Sequence, residues 1–163
     1  MARVPGGAQH HAGRPFDSRD DRGRAAVAVF VVDCSVTMSW CFRDEATQYT
    51  EAVFDRLRSE PAAVPAIWSL EVANTLLVAQ RRGRITQAEA LHFVRLLRGA
   101  SIEIDTSDMM TVMDRALDLG RLHQLSAYDA AYLVLASREG HPLATLDARL
   151  RAAASQMGIP IVD

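Results

Sequence analysis

Val27-Ala28-Val29-Phe30-Val31-Val32-Asp33-Cys34-Ser35 is the stretch on which the architecture turns. A short, valine-rich apolar run with no polar alternation suits a strand buried on both faces, as in a parallel sheet. Asp33 ends the run and opens a polar turn. Outward from it, residues 44–58 read as a helix, with Ala46, Tyr49, Val53 and Leu57 near helical spacing. Residues 62–64 form a short strand stopped by Pro65, and a long helix over 66–81 ends at Arg82-Gly83, basic residues and glycine being favoured there. Thr86-Gln87-Ala88-Glu89 has the capping-box pattern and starts a helix through residue 97.

Residues 101–105 alternate apolar and polar, as a half-exposed strand does. Ser107 or Asp108 caps a helix through 119 closed by Gly120, and Ser126 caps a helix over 127–139 closed by Gly140. A strand at 143–145 leads into a helix at 148–156, and 159–162 is an edge strand, where Pro160 is tolerated. Strands alternating with helices imply an α/β fold with a central, mainly parallel sheet of about five strands and helices on both faces. In such folds the carboxyl ends of the strands line the ligand crevice, near the point where strand order reverses.

At 163 residues the chain is one domain by length, with 49% hydrophobic and 23% charged residues, the balance of a globular protein. The formal net charge of −2 supplies no general basic field for nucleic acid, so such binding would need a local patch or metal ions. All 18 basic residues are arginine, which excludes lysine Schiff-base and P-loop chemistry. Cys34 and Cys41 form no C-x-x-C pair, and free thiols suit a reducing cytosol. No apolar run approaches the roughly 18 residues of a membrane span. Residues 1–25, rich in Gly, Arg, Pro and His, read as a disordered tail, leaving 26–163 as the folded domain.

Four acids stand where an α/β chain would bring them together. Asp33 ends the first strand, Glu71 interrupts the apolar segment Trp68–Leu76, Asp129 lies in the first turn of the 127–139 helix, and Asp147 follows the 143–145 strand. Acids rarely interrupt core-forming segments unless something pairs with them or is bound by them. A cluster of carboxylates is a hard-oxygen ligand set for Mg²⁺ or Mn²⁺. Each also has a plainer reading. Asp33 suits a cap on the turn that follows it, Asp147 suits a cap on the 148–156 helix, and Asp129, three residues after Ser126, suits a local capping arrangement. Glu71 is either a ligand or a hydrogen-bonded core acid. Asp44, Glu45, Glu51, Asp55 and Glu60 look like a solvated helix face, and Arg81, Arg82 and Arg84 either contact phosphates or form a basic helix end. The five histidines show no zinc spacing.

Val31-Val32-Asp33-Cys34-Ser35, Pro65 with Leu70-Glu71-Val72-Ala73-Asn74, Arg82-Gly83-Arg84-Ile85, Ser126-Ala127-Tyr128-Asp129-Ala130-Ala131-Tyr132 and Ala144-Thr145-Leu146-Asp147 together resemble the PIN-domain ribonucleases, and most nearly the VapC-type toxins. The resemblance spans residues 29–162. It implies a PIN-like three-layer sandwich in which Asp33, Glu71, Asp129 and Asp147 gather around Mg²⁺ or Mn²⁺, with Asp33 and Asp129 as principal ligands and Thr145 nearby. It further implies an RNA endonuclease of a toxin–antitoxin pair, often a homodimer, inhibited by a cognate VapB-like antitoxin. Cys34 departs from the pattern, standing where a small residue such as alanine or threonine is more usual. The rival readings are a catalytically silent PIN-like binding module and an aspartate-based phosphatase. The phosphatase needs a second Asp where Ser35 stands and a downstream lysine, which the chain lacks.

Overall fold

A computed structural model describes residues 28–163. The expectations for the tail at 1–25 and for a strand beginning at Val27 lie outside the described residues. The elements run β1 (Phe30–Val32), α1 (Cys34–Ser39), α2 (Gln48–Arg56), β2 (Ala62–Val64), α3 (Trp68–Arg81), α4 (Gln87–Gly99), β3 (Ile102–Ile104), α5 (Met109–His123), α6 (Ala127–Glu139), β4 (Leu143–Ala144) and α7 (Ala148–Gln156). The sheet is parallel throughout, in the order β3-β2-β1-β4. β1 is central, and its three residues are wholly buried, as their unbroken apolar character requires. At the β3 edge Glu103 and Ile104 are exposed.

The chain steps outward from β1 to β2 to β3, then returns past β1 to β4. Parallel crossovers are right-handed, so the outward and return runs put helices on opposite faces of the sheet. α1 packs on α3, and α6 packs on β1, β4, α5 and α7. α6 is apolar on nearly every side, and each residue from Ala130 to Ala136 is buried. A helix of that kind runs through the core rather than along the surface.

The larger departures from the sequence reading are at three places. The fifth strand is only a parallel bridge, Leu143 to Ile161, because Pro160 has no N–H to extend the ladder. The helix expected at 44–58 begins at Gln48, since Thr47 and Thr50 form a reciprocal cap there. Asp44 and Glu45 are drawn away instead to Arg84, at 2.7 Å each, and that guanidinium lies 3.8 Å from the Phe42 ring centre. Arg84 thus ties the α1–α2 loop to the α3–α4 turn through two acids. α5 continues past Gly120 to His123 and stops at Gln124, in the left-handed region with φ 55°. The glycine still marks the ending: Leu125 N–H folds back onto Gly120 O at 3.0 Å, and a Cβ at 120 would stand 3.1 Å from Leu125 O. No helix among the described residues is long and apolar enough to cross a membrane.

Candidate active site

Strand order reverses between β1 and β4, so their carboxyl ends flank the crevice expected of a doubly wound sheet. Asp33 and Thr145 are the first residues past those ends. Asp33 N–H continues the ladder to Ala144 O at 3.0 Å. Its carboxylate caps α1, accepting the Ser35 N–H on Oδ1, while Oδ2 accepts the Thr145 hydroxyl. Ser35 Oγ in turn accepts from Leu146 N–H at 3.0 Å, joining the turn after β4 to α1. The carbonyl of Asp33 accepts the Thr37 hydroxyl at 3.0 Å, and Thr37 Oγ1 accepts from the Trp68 indole at 3.0 Å. Asp33 is therefore held by α1, β4 and the start of α3. It is only 4% exposed, and burial pushes its carboxyl up against the opposing bonds from Thr145 and Ser35.

Glu71 projects from the first turn of α3, half-buried, with Oε2 accepting the Tyr132 hydroxyl at 2.5 Å. Burial raises its carboxyl first; the negative charges of Asp129 and Asp33 raise it further, and the Tyr132 bond opposes them. Asp129, in the first turn of α6, accepts the Ser126 hydroxyl on Oδ2 at 2.7 Å, and its N–H donates to Ser126 Oγ at 3.1 Å. The capping reading of Asp129 is realised, and its charge also bears on Glu71.

Asp147 differs. It is exposed, and its Oδ1 caps α7 by accepting from Arg149 N–H at 2.7 Å and Leu150 N–H at 2.9 Å. Its own N–H donates to Thr145 Oγ1 at 3.0 Å, the same oxygen that donates to Asp33. Replacing Asp147 by Ala is expected to cost about 1 kcal/mol of stability through the lost cap. Asp147→Asn keeps the cap and should cost little; equal destabilisation of both variants in urea melts would contradict the capping assignment.

Asp33, Glu71 and Asp129 each have one carboxylate oxygen pinned by a neutral hydroxyl. Among the described residues none of the three is paired with an arginine or histidine. No protein group among those residues bonds Glu71 Oε1 or Asp129 Oδ1. Buried or half-buried carboxylates that repel one another call for a cation. Their donor set, carboxylate oxygens with hydroxyls, suits a hard divalent ion. Among the described residues no three His, Cys, Asp or Glu side chains are drawn into one coordination sphere. Mg²⁺ is usually held by one or two carboxylates together with waters and substrate phosphate, so the residues present fit such an ion without a tighter cage. The Cys34 thiol lies against this group; burial, then the charges of Glu71 and Asp33, push it up to about 12, which makes it a packed thiol rather than a nucleophile.

The Tyr132 contact went unread in the sequence, although a signal existed. A tyrosine among the alanines, leucines and valine of a buried helix needs a partner for its hydroxyl, and it sits one turn beyond Asp129.

A family model described as PIN domain matches residues 30–156. The chain is 29% identical over 120 residues to Ribonuclease VapC3 of Pyrobaculum aerophilum, covering 74% of this chain and 90% of that protein. In structure it is similar to a crystal structure of a Pyrobaculum aerophilum protein, with a TM-score of 0.61, 21% identity, and 77% and 86% of the two chains covered. It is also similar to a toxin–antitoxin complex chain from Klebsiella pneumoniae, with a TM-score of 0.57, 17% identity, and 82% and 96% covered.

Proposed function

Because the chain belongs to the PIN-domain family, and Asp33, Glu71 and Asp129 gather near one strand-end crevice with no arginine or histidine paired to them among the described residues, we propose that it is a divalent-metal-dependent RNA endonuclease, the toxin of a toxin–antitoxin pair. The observation that carries this reading is the set of three carboxylates, each oriented by a neutral hydroxyl from Thr145, Tyr132 or Ser126. The likeness to a VapC ribonuclease supports RNA as substrate, and the likeness to a toxin–antitoxin complex supports an antitoxin as partner.

In this reading Asp33, Glu71 and Asp129 hold Mg²⁺ or Mn²⁺, and Asp147 is the peripheral fourth acid through Oδ2. A bound divalent ion supplies neutralisation of the phosphodiester oxygens and lowers the pKa of a water for in-line attack. The chain's own contribution is positional. Thr145 and Ser35 fix Asp33, Tyr132 fixes Glu71, and Ser126 fixes Asp129, so little reorganisation is needed when a charged substrate arrives. The net charge of −2 accords with a site in which metal ions, rather than lysines, meet the phosphates. Leu70, Leu77 and Leu91, exposed on α3 and α4, supply apolar surface for a VapB-like antitoxin. The protein acts in the cytosol, with residues 26–163 as its domain and a homodimer as its assembly.

Purified protein should cleave RNA in Mg²⁺ or Mn²⁺, lose that activity in excess chelator, and regain it when the ion is restored. Cleavage undiminished by the chelator would contradict the reading.

A further inference from the structure

We propose that Tyr132 is a positioning residue for Glu71, and that α6 sets the spacing of two acids at once, one through its own Asp129 and one through this phenol. The inference rests on the nuclease reading above and goes beyond it to a residue outside the acidic set. Tyr132 is 1% exposed, in a run of α6 otherwise made of Ala, Leu and Val side chains. Its hydroxyl crosses to α3 and donates to Glu71 Oε2 at 2.5 Å, a contact between residues 61 apart in the chain. Asp129 and Tyr132 are three residues apart on one helix and so share a face. Both lie in the first two turns of α6, so the bond from Tyr132 brings Glu71 to the end of the helix that carries Asp129.

The chemistry of the donor matters. Glu71 has three side-chain torsions and is only half-buried, so without a fixed partner it has room to swing into solvent. An arginine or lysine in place of Tyr132 would hold it too, but would neutralise the crevice and compete with a metal ion for the carboxylate. A phenol holds one oxygen without adding charge and leaves Oε1 for the ion. Ser126 holds Asp129 from within the same helix start, and Thr145 holds Asp33 from the neighbouring strand end. The Tyr132 bond is the one of the three that fixes one helix's acid relative to another helix.

Tyr132→Phe keeps the buried volume and removes only the hydroxyl. Partners that orient metal-ligating groups typically contribute about 10–100-fold in affinity or activity. Tyr132→Phe should therefore melt as a folded protein, weaken Mn²⁺ binding by roughly 10–100-fold in calorimetry, lower kcat, and leave KM for RNA unchanged. In the Glu71→Gln background it should add no further loss of Mn²⁺ affinity, because the group it positions is already changed. Wild-type Mn²⁺ affinity and kcat in Tyr132→Phe, beside loss of both in Asp33→Asn, would overturn the positioning role and leave the nuclease reading standing. A further loss in the double variant equal to that of Tyr132→Phe alone would overturn it as well, by separating the phenol from Glu71. Asp33→Asn that binds Mn²⁺ and cleaves RNA like the wild type would overturn the nuclease reading and this inference with it.

Discussion

Asp33→Asn is expected to abolish metal-dependent RNA cleavage while making the metal-free protein more stable. Asparagine caps a helix as well as aspartate does, and its side-chain carbonyl can still accept the Ser35 N–H or the Thr145 hydroxyl. What the substitution removes is the charge. For cleavage, a metal site contributes several kcal/mol of transition-state stabilisation, so the expected loss is about 10³-fold or more. For stability the sign follows from linkage. Burial raises the Asp33 carboxyl above its ordinary 3.8 in the folded protein, so its contribution is fully present below 3.8 and is lost as pH rises through the raised value. At neutral pH a buried Asp33 with no cation beside it costs stability. The gap in melting temperature between Asp33→Asn and the metal-free wild type should therefore widen from pH 4 to pH 7, and added Mn²⁺ should narrow it by stabilising only the wild type. A metal-free wild type more stable than Asp33→Asn at pH 7, or a variant that cleaves at wild-type rate, would contradict this.

Phe30→Ala is expected to have the largest effect on stability. Phe30 is 0% exposed in the central strand, and the Arg56 guanidinium lies 5.4 Å from its ring centre. Truncating a buried Phe costs about 3–5 kcal/mol through lost transfer energy and the cavity left behind. Domains have only about 5–15 kcal/mol in total, so the melting temperature should fall by on the order of 10 °C or more. The strand also delivers Asp33 three residues later, so metal binding should weaken in the destabilised protein. A loss under 1 kcal/mol in urea unfolding would show that β1 is not the packed centre its burial indicates.

Much of the scaffold is legible in the sequence because its signals are local. The valine run to Asp33 reads as a doubly buried strand, and Ser126 and Gly140 bracket α6 at the residues where the structure begins and ends it. Asp147 caps α7 as its position after β4 suggests. Elements without a local signal are lost. α1 has six residues beginning at Cys34, too few for a periodicity; Asp33 caps it and it packs on α3. Asp44 and Glu45, read as part of a helix face, pair instead with Arg84, 40 and 39 positions away. The chain ends in a bridge, since one proline N–H is missing from the ladder.

The acids of the candidate site were legible as types, their environments much less so. Asp33 bonds Thr145 across 112 residues, and Glu71 bonds Tyr132 across 61. Contacts at that separation are set by the sheet order and by the path of α6, which no window of sequence contains. The same geometry distinguishes Asp147 from the others. Its Oδ1 is committed to two backbone amides of α7, whereas Glu71 Oε1 and Asp129 Oδ1 have no protein donor among the described residues. The PIN-domain membership of residues 30–156 then gives the shared crevice a chemical context that spacing alone could not.

The most direct test is a calorimetric titration of Mn²⁺ into the purified wild-type protein and into Asp129→Asn at neutral pH. The wild type should give a saturable binding heat that is lost or weakened by at least about tenfold in Asp129→Asn. Identical isotherms, or no binding by the wild type in the presence of a non-cleavable RNA analogue, would contradict this.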